Sequence, residues 1–597
     1  MKKSLGSCAT IMRVNPRRAF VFLIVLCTCI LSFSFWSRCP LNDQQQTVRE
    51  SSEVQGSLDQ SVHFRNRNAN NYDVPAEMEM AGGGSSMHEI TCEINHEYSV
   101  QCRREENEVY MPFSFIKKYF EVYGEIQVSE GDEKFEFSHS YSEVHVPPEV
   151  IRPDGIFMSF EHYNVEIRKR VKCITATEGV PVSTQWEASG HFYPIQIAQF
   201  GLSHYSKHLV EGKPTVTRLI TGNDLDLDLW AYSSSKTTAR SLFDRTRQSD
   251  VIQFKTSDSL SNTGLQYELK EKNNFAVTLD FKMISNGSVT ASLKSDTYTF
   301  HIHYVFSNTL ISCDGRNIFF GLGENRRGKW IHLARDVNMD LLKGLALKCS
   351  KHRKMKDLTF LGLSIRGQGW VDNVTLASAA HMDHFFDAAN WFVNHQDSRG
   401  GWPIKVTRKL LSGVMELPPG WYSAMAQGQA MSTLVRAYLR SGSKVYLQAA
   451  TDALKIFEIS SAQGGVKARF ANSYDWYEEY PTTPSSFVLN GFIFSLFGLY
   501  DLKQVAEGQA LETVTRIYNE GIKSLKAMLL MYDSGTGTFY DLRHITVGIA
   551  PNRARWDYHT VHISQLLQLS RMEDDPLFMR TAKRWQDYMQ GKWSTHN

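Results

Sequence analysis

The chain has 597 residues and a formal net charge of only +2. That length allows roughly two to four domains, and the near-neutral balance excludes a polycation that coats nucleic acid. Any anion-binding surface must be local. Aromatic residues make up 12% of the chain, and such rings suit sugar faces as well as large cores.

Residues 1–18 carry Lys2, Lys3, Arg13, Arg17 and Arg18 and no acid, and 19–36 then run without a charge. About 18 apolar residues just suffice to span a bilayer. No small-residue cleavage site follows. The basic flank precedes the span, which predicts a cytosolic N-terminus and a lumenal bulk. So short a span suits a thin early secretory membrane. The expected layout is a cytosolic tail (1–18), a signal-anchor (19–36) and a flexible stem (37–86) ending in Gly82-Gly-Gly-Ser-Ser. This is a Golgi type II arrangement, with a plasma-membrane ectodomain as the alternative. Five cysteines follow the stem: Cys92, Cys102, Cys173, Cys313 and Cys349. They are too sparse for a disulfide scaffold, though Cys92 and Cys102 are close enough to close a small loop. Asn286-Gly-Ser and Asn373-Val-Thr are glycosylation sequons, in keeping with a lumenal location.

Short β-like runs open the lumenal part and predict a β-hairpin segment over 87–132, with Phe113 to Gly124 ambiguous between helix and strand. From 133 to 375 many short alternating runs, such as Phe275 to Phe281 and Tyr298 to Phe306, predict an antiparallel sandwich or barrel. Pro181 to Gly201 interrupts them with a polar-aromatic insert. From 376 the period becomes helical, with candidate helices at 378–395, 421–441, 443–459, 485–507, 510–533, 557–574 and 576–592. They come as hairpins separated by long loops. Gly400-Gly-Trp, Gly464-Gly-Val and Gly535-Thr-Gly open three of these loops. Trp421-Tyr, Ser485-Ser-Phe and Trp556-Asp-Tyr start the helices after them. Repeated hairpins whose more apolar member faces inward build an incomplete (α/α) toroid, and its loops gather around one cleft. The expected fold is therefore an α+β multidomain chain: membrane anchor, β-hairpin segment, β-sandwich or barrel, and toroid (376–597).

The three loops carry chemistry. The first holds Trp402, Arg408, Lys409 and Trp421-Tyr422. The second holds Lys467, Arg469 and the stiff stretch Trp476-Tyr-Glu-Glu-Tyr-Pro-Thr-Thr-Pro484. The third holds Tyr540, Asp541, Arg543, His544, Arg553, Arg555, Trp556, Asp557, Tyr558 and His559. Tyrosines, carboxylates and arginine forks on one rim suit proton transfer on an anionic sugar polymer. Asn490 falls near Gln427 in the repeat register, and a polar residue on an apolar inner helix suits cleft lining.

Trp476 to Asn490 (WYEEYPTTPSSFVLN), Gly420 to Tyr438, Ser524 to Leu529, Tyr540 to His544 and Ala554 to His559 resemble the heparan sulfate D-glucuronyl C5-epimerase family. Phe157 to Asn164, Gly179 to Trp186 and Tyr193 to Tyr205 do the same. The resemblance implies conversion of D-glucuronate to L-iduronate within N-sulfated heparosan or heparan sulfate, without an organic cofactor. The C5–H is a very weak acid, so the adjoining carboxylate must be neutralised and two acid/base groups must flank the ring. The resemblance places Glu479 and Tyr558 in those roles, with Tyr480 and Tyr540 beside the reacting ring. A free phenol titrates near ~10, so Tyr558 as a base needs cations nearby. Arg543 and Arg555 are the candidates, and Arg543 is assigned to the uronate carboxylate. Substrate contacts are expected from Tyr163, Asn164, Arg168, Gln185, Tyr193 and Gln196, and at the rim from Lys409, Asn490, Arg543, Arg555 and His559.

The resemblance further implies a structural calcium ion (Ca2+) held by Thr221, Asn223, Ser249, Asp250 and Asp372, with Asn223 where an acid is expected. Ile151 stands where a cleft tyrosine is expected. Expected partners are the polysaccharide, the Golgi membrane, a second copy of the chain as a homodimer, and heparan sulfate sulfotransferases. No nucleic acid is among them. Two competing readings share the composition: a polysaccharide lyase, which adds expulsion of the 4-linked oxygen, and a non-catalytic glycan-binding ectodomain.

Overall fold

The computed structural model describes residues 87–594, except 95–97, 120–121, 130–131, 140–141, 257–263, 297 and 348–356. The expected tail, anchor and stem lie outside the described residues. Among the described residues no helix is long and apolar enough to cross a membrane. Contact density places them in one compact unit, from which the short segment Lys409–Val414 is set apart.

The first elements are small. A three-stranded sheet is built from His88–Ile94, Tyr98–Glu105 and Glu108–Tyr110. Cys92 and Cys102 are disulfide-bonded across its first pair, and Cys313 is also disulfide-bonded. The ambiguous stretch divides into a helix, Phe113–Tyr119, and a strand, Val122–Ser129. That strand pairs with Asp132–His139, so this hairpin runs past the expected boundary at 132.

The β domain is a sandwich. Its seven-stranded sheet runs in the order Ala231–Tyr232, Leu265–Glu271, Thr359–Arg366, Ser288–Ser295, Tyr298–Val305, Asn317–Gly321 and Ile311–Asp314. The facing sheet runs Thr238–Asp244, Ser249–Lys255, Gln368–Ala377, Ala276–Met283 and Ile331–Asp336, with Val216–Ile220 added against Gln368–Ala377. Pairing is antiparallel apart from Tyr298–Val305 with Asn317–Gly321. Alternating strands aim Phe281, Leu293, Phe300, Ile302 and Phe360 into one shared core.

All seven expected helices are present, with one correction of consequence. The insert at 181–201 contains no strand of the sandwich. It leads into a long helix, Pro194–Glu211, buried through Lys207. That helix packs against His381–His395 and Ala424–Ser441. A row of nearly all-buried helices results: Pro194–Glu211, Ala424–Ser441, Leu489–Lys503 and Trp556–Met572, each touching the next. His381–His395, Lys444–Asp452, Gly508–Met528 and Pro576–Met589 cover it as an amphipathic outer row. The sandwich is thus inserted inside the first hairpin, between its inner and outer helices. Entry and exit strands meet where Ser378 N donates to Thr215 O and Thr215 N to Ser378 Oγ, both at 3.1 Å. The helical boundary at 376 therefore misses one inner helix.

Two inner helices pack almost backbone to backbone. A Cβ on Gly498 would stand 2.0 Å from the Gly428 carbonyl oxygen. The sandwich in turn braces the chain before the first inner helix. Arg335 Nη1 donates to Thr175 O and Nη2 to Ile174 O, both at 2.9 Å, and Lys343 Nζ donates to Arg168 O at 2.9 Å.

Candidate active site

The inner helices share a direction. Tyr193 caps the N-terminus of the first, Ser423 the second, Val488 the third and Arg555 the fourth. The residues at or just before these N-termini are the ones that meet in one cleft. Helix N-termini carry partial positive charge and unpaired N–H groups, so four of them around a cleft favour an anionic occupant.

The stretch 476–484 enters from a strand, Tyr474–Tyr477, paired with Lys467–Phe470. Trp476 stacks on Phe492 at 3.6 Å, and the Tyr477 hydroxyl donates to Ile517 O at 2.6 Å. The two glutamates that follow are both fully buried, yet they have different employment. Glu478 accepts from Ser486 Oγ at 2.8 Å and from Phe487 N at 3.0 Å. It holds the turn into the third inner helix, and burial raises its pKa to about 8. Glu479 makes no well-formed hydrogen bond through either oxygen. Burial raises it to about 7, while the Tyr480 hydroxyl and Arg408 pull it back. Its carboxylate lies against Gly491, where a Cβ would stand 2.2 Å from Oε2. Only a glycine leaves that room.

Four tyrosines join Glu479. The Tyr540 and Tyr558 rings meet edge-on at 4.8 Å. Tyr193, Tyr480, Tyr540 and Tyr558 are all buried; the hydroxyls of Tyr193, Tyr540 and Tyr558 have no hydrogen-bond partner, and that of Tyr480 lies toward the Glu479 carboxylate without a well-formed bond. Burial pushes Tyr480, Tyr540 and Tyr558 well above the usual phenol range, and the Glu479 charge adds to this in each. Buried polar groups are almost always paired in folded proteins, so a carboxylate without a well-formed bond and three phenols left open beside it mark a place for a polar ligand.

The remaining expected residues divide. Gln185 and Gln196 are buried beside Tyr193, with unpartnered side-chain oxygens. Asn490 is buried in the first turn of the third inner helix, adjoining Gly491. Tyr163 stacks on Phe160 at 4.8 Å, with the Arg168 guanidinium 4.4 Å above its ring. Arg168 donates to Gln199 Oε1 at 3.1 Å, and Asn164 accepts from Lys207 Nζ at 2.7 Å. Arg555 faces Asp557 at 3.7 Å.

Several expectations are corrected. His559 is spent inside the protein: Nδ1 meets Thr538 Oγ1 at 3.0 Å and Nε2 meets the Trp585 carbonyl at 3.0 Å. Lys409 is exposed on the strand Arg408–Leu411, which pairs with Met415–Leu417. Arg543 is tied through Nε to Asp541 at 2.8 Å. The expected lowering of the Tyr558 pKa does not occur. Burial outweighs Arg170 and Arg555, so Tyr558 stays a protonated phenol. Ile151 is buried as an apolar residue.

The calcium donors are neighbours but already engaged. The Thr221 hydroxyl donates to Asp226 Oδ2 at 3.0 Å, and the Asn223 backbone N–H donates to the same oxygen at 3.3 Å. Asp372 has Arg247 Nε at 3.6 Å. Asp250 is exposed. A cation beside Asp372 and a spent hydroxyl do not fit a tight calcium site.

Two further cations stand out: Arg408, a cation of the first rim loop with no role expected of it, and Arg170, which lies outside every motif. Arg408 adjoins Tyr480, and Arg170 acts on Tyr193 and Tyr558. Their spacing in sequence carries no periodic signal. Trp186 and Trp421 flank Arg408 and Tyr480, with ring centroids 6.1 Å apart.

Comparison with known proteins matches this arrangement to a single family. Residues 396–587 match the model of the D-glucuronyl C5-epimerase C-terminus, and 248–368 match that family's beta-sandwich domain. A D-glucuronyl C5-epimerase of Caenorhabditis elegans is 33% identical, over 98% of this chain and all of its own length. The chain belongs to the D-glucuronyl C5-epimerase family. It is an isomerase of the carbohydrate-epimerase class. An uncharacterized protein of Methanocaldococcus jannaschii is 32% identical over 29% of the chain and 53% of its own length. The family's two matched segments correspond to the sandwich and to most of the helical rows of this epimerase. The inner helix Pro194–Glu211 precedes both.

Proposed function

We propose that the chain converts D-glucuronate to L-iduronate at C5 within N-sulfated heparosan, in the Golgi lumen, during heparan sulfate and heparin assembly. The observation that carries the chemistry is the buried carboxylate of Glu479, which has no well-formed hydrogen bond, among phenols of which Tyr540 and Tyr558 have no partner. Glu479, poised near neutrality, takes the C5 proton, and the C–H electron pair moves into the adjoining carboxylate. Tyr558, still protonated, gives its proton to C5 from the opposite face. The new C5–H bond inverts the centre and leaves protonated Glu479 and a Tyr558 phenolate, which reset by exchange with solvent. Tyr480 and Tyr540 donate hydrogen bonds to the reacting ring. The scheme needs no organic cofactor.

The Golgi assignment is supported by the basic flank before the uncharged run 19–36 and by the two sequons. With that anchor, the protein is a single-pass type II membrane protein, glycosylated, acting as a homodimer beside the sulfotransferases that modify the same polymer.

Incubation with N-sulfated heparosan in heavy water tests the reaction: deuterium is expected at C5 of the uronates. Its absence overturns the epimerase reading. An ultraviolet-absorbing unsaturated product would assign a lyase instead. Tyr558→Phe is expected to slow exchange by roughly 100- to 1000-fold with Tm unchanged.

A further inference from the structure

Four arginines are buried among the described residues: Arg335, Arg408, Arg436 and Arg543. Three have a carboxylate. Arg335 holds Asp340, Arg436 Nη1 reaches Asp501 at 2.7 Å, and Arg543 Nε reaches Asp541 at 2.8 Å. Arg408 is 2% exposed and has no carboxylate at ion-pair distance, and its Nε has no acceptor. What it has is aromatic. Its guanidinium carbon lies 4.9 Å from the Trp186 ring centre and 5.5 Å from that of Tyr480. Trp186 takes up this position with φ of +67°, a left-handed conformation that a tryptophan rarely adopts.

The magnitudes decide what this means. Cation–π contact stabilises a guanidinium far less than burial without a counter-charge destabilises it. Two rings orient the guanidinium without neutralising it. The local charge balance around Arg408 lacks one anion, which an occupant of the cleft can supply. We infer that Arg408 is the anion anchor of the cleft and receives the carboxylate of the uronate undergoing reaction. The inference rests on the epimerase reading for the identity of that sugar.

The placement suits the chemistry. Arg408 stacks on Tyr480, the neighbour of Glu479, and the carboxylate of a uronate is bonded to the carbon that Glu479 deprotonates. A planar fork opposite that carboxylate neutralises it and then holds the charge that flows into it when the C5 proton leaves. Docking also changes Glu479. Arg408 favours the ionised form of Glu479 in the open cleft. Once paired with the substrate carboxylate it does so less, and Glu479 becomes the stronger base. Arg543, committed to Asp541, supports the third rim loop.

The test compares binding of an N-sulfated heparosan oligosaccharide with its carboxyl-reduced counterpart, in which the uronate is glucose. The wild-type protein is expected to prefer the carboxylate roughly 10- to 100-fold. Arg408→Gln should abolish that preference, and Arg408→Lys should keep part of it with kcat more affected than KM. The acid limb of kcat should lie at higher pH than that of kcat/KM in the wild type, and the two should coincide in Arg408→Gln. Retention of the wild-type preference by Arg408→Gln, with its loss in Arg543→Gln, overturns the inference. So does a loss confined to discrimination between N-sulfated and N-acetylated oligosaccharides, which would assign Arg408 to the sulfamate. Should Arg408→Gln fail to fold, an Arg408→Lys protein with normal Tm and undiminished preference and kcat would overturn it as well. Absence of C5 exchange in the wild type, with the carboxylate preference intact, would strike the epimerase reading and leave the anchor standing.

Discussion

The sandwich and the cleft end of the helical rows bury the same kinds of polar group and treat them oppositely. In the sandwich the Tyr304 hydroxyl donates to Asp340 Oδ2 at 2.6 Å, Arg335 Nε meets the same oxygen at 2.8 Å, and His303 bridges Thr290 and Asn317. In the cleft Glu479 has no well-formed hydrogen bond, and Tyr193, Tyr540 and Tyr558 are left open. A closed network rigidifies and positions. An open one stores an unmet demand that a substrate can satisfy. The difference separates residues that hold the molecule together from residues that act.

The sharpest break of that contrast is Glu479→Gln. C5 exchange should fall by roughly 1000-fold or more. Stability should move the other way. The Glu479 pKa rises from 4.5 to about 7 on folding, so its contribution is full below 4.5 and is lost as pH rises through 7. Glutamine does not titrate, so the variant should exceed the wild type above pH 7 by roughly 3 kcal/mol, a gap that closes toward pH 4.5. Chemical denaturation at several pH values reads this, and a less stable variant at pH 8 would contradict it. For the same reason wild-type kcat/KM should decline as pH falls below about 7.

Asp340→Ala is the reverse experiment. It strands the Arg335 charge inside the protein and should cost roughly 3–5 kcal/mol, with exchange per folded molecule little changed. A selective loss of exchange at unchanged Tm would place the sandwich network in the chemistry. Gly491→Ala sits between the two. Its Cβ must displace Glu479 while the helix gains propensity, so kcat should drop roughly 10- to 100-fold without a loss of Tm. The smallest effect is expected from calcium chelation: with Thr221 and Asp372 already engaged, Tm should hardly move. A fall of ~4 °C would restore the calcium reading.

Much of this arrangement was legible in the residues. The helical period marked seven helices, and the alternating runs marked the sandwich. The stretch 476–484 was visible as a stiff, acidic, aromatic loop. The helix Pro194–Glu211 was not, because its partner His381–His395 lies beyond the whole sandwich and polar residues such as Gln196, Gln199 and His204 break its apolar stripe. Arg408 was visible only as one of several rim cations. His559 was indistinguishable from a ligand until both ring nitrogens found partners.

By itself the sequence determined the classes of element, the family, and the stock of carboxylates and phenols, since all of these are carried by local period and by long runs of matching residues. The family resemblance named Glu479, and the tertiary structure supplies a physical difference between it and Glu478. The two share a backbone neighbourhood, and their roles part on whether Ser486 and Phe487 or the open cleft lies opposite. It likewise left Arg408, rather than Arg543, as the buried cation without an anion. Burial and pairing are properties of what folds around a side chain, and for these residues most of that comes from distant parts of the chain.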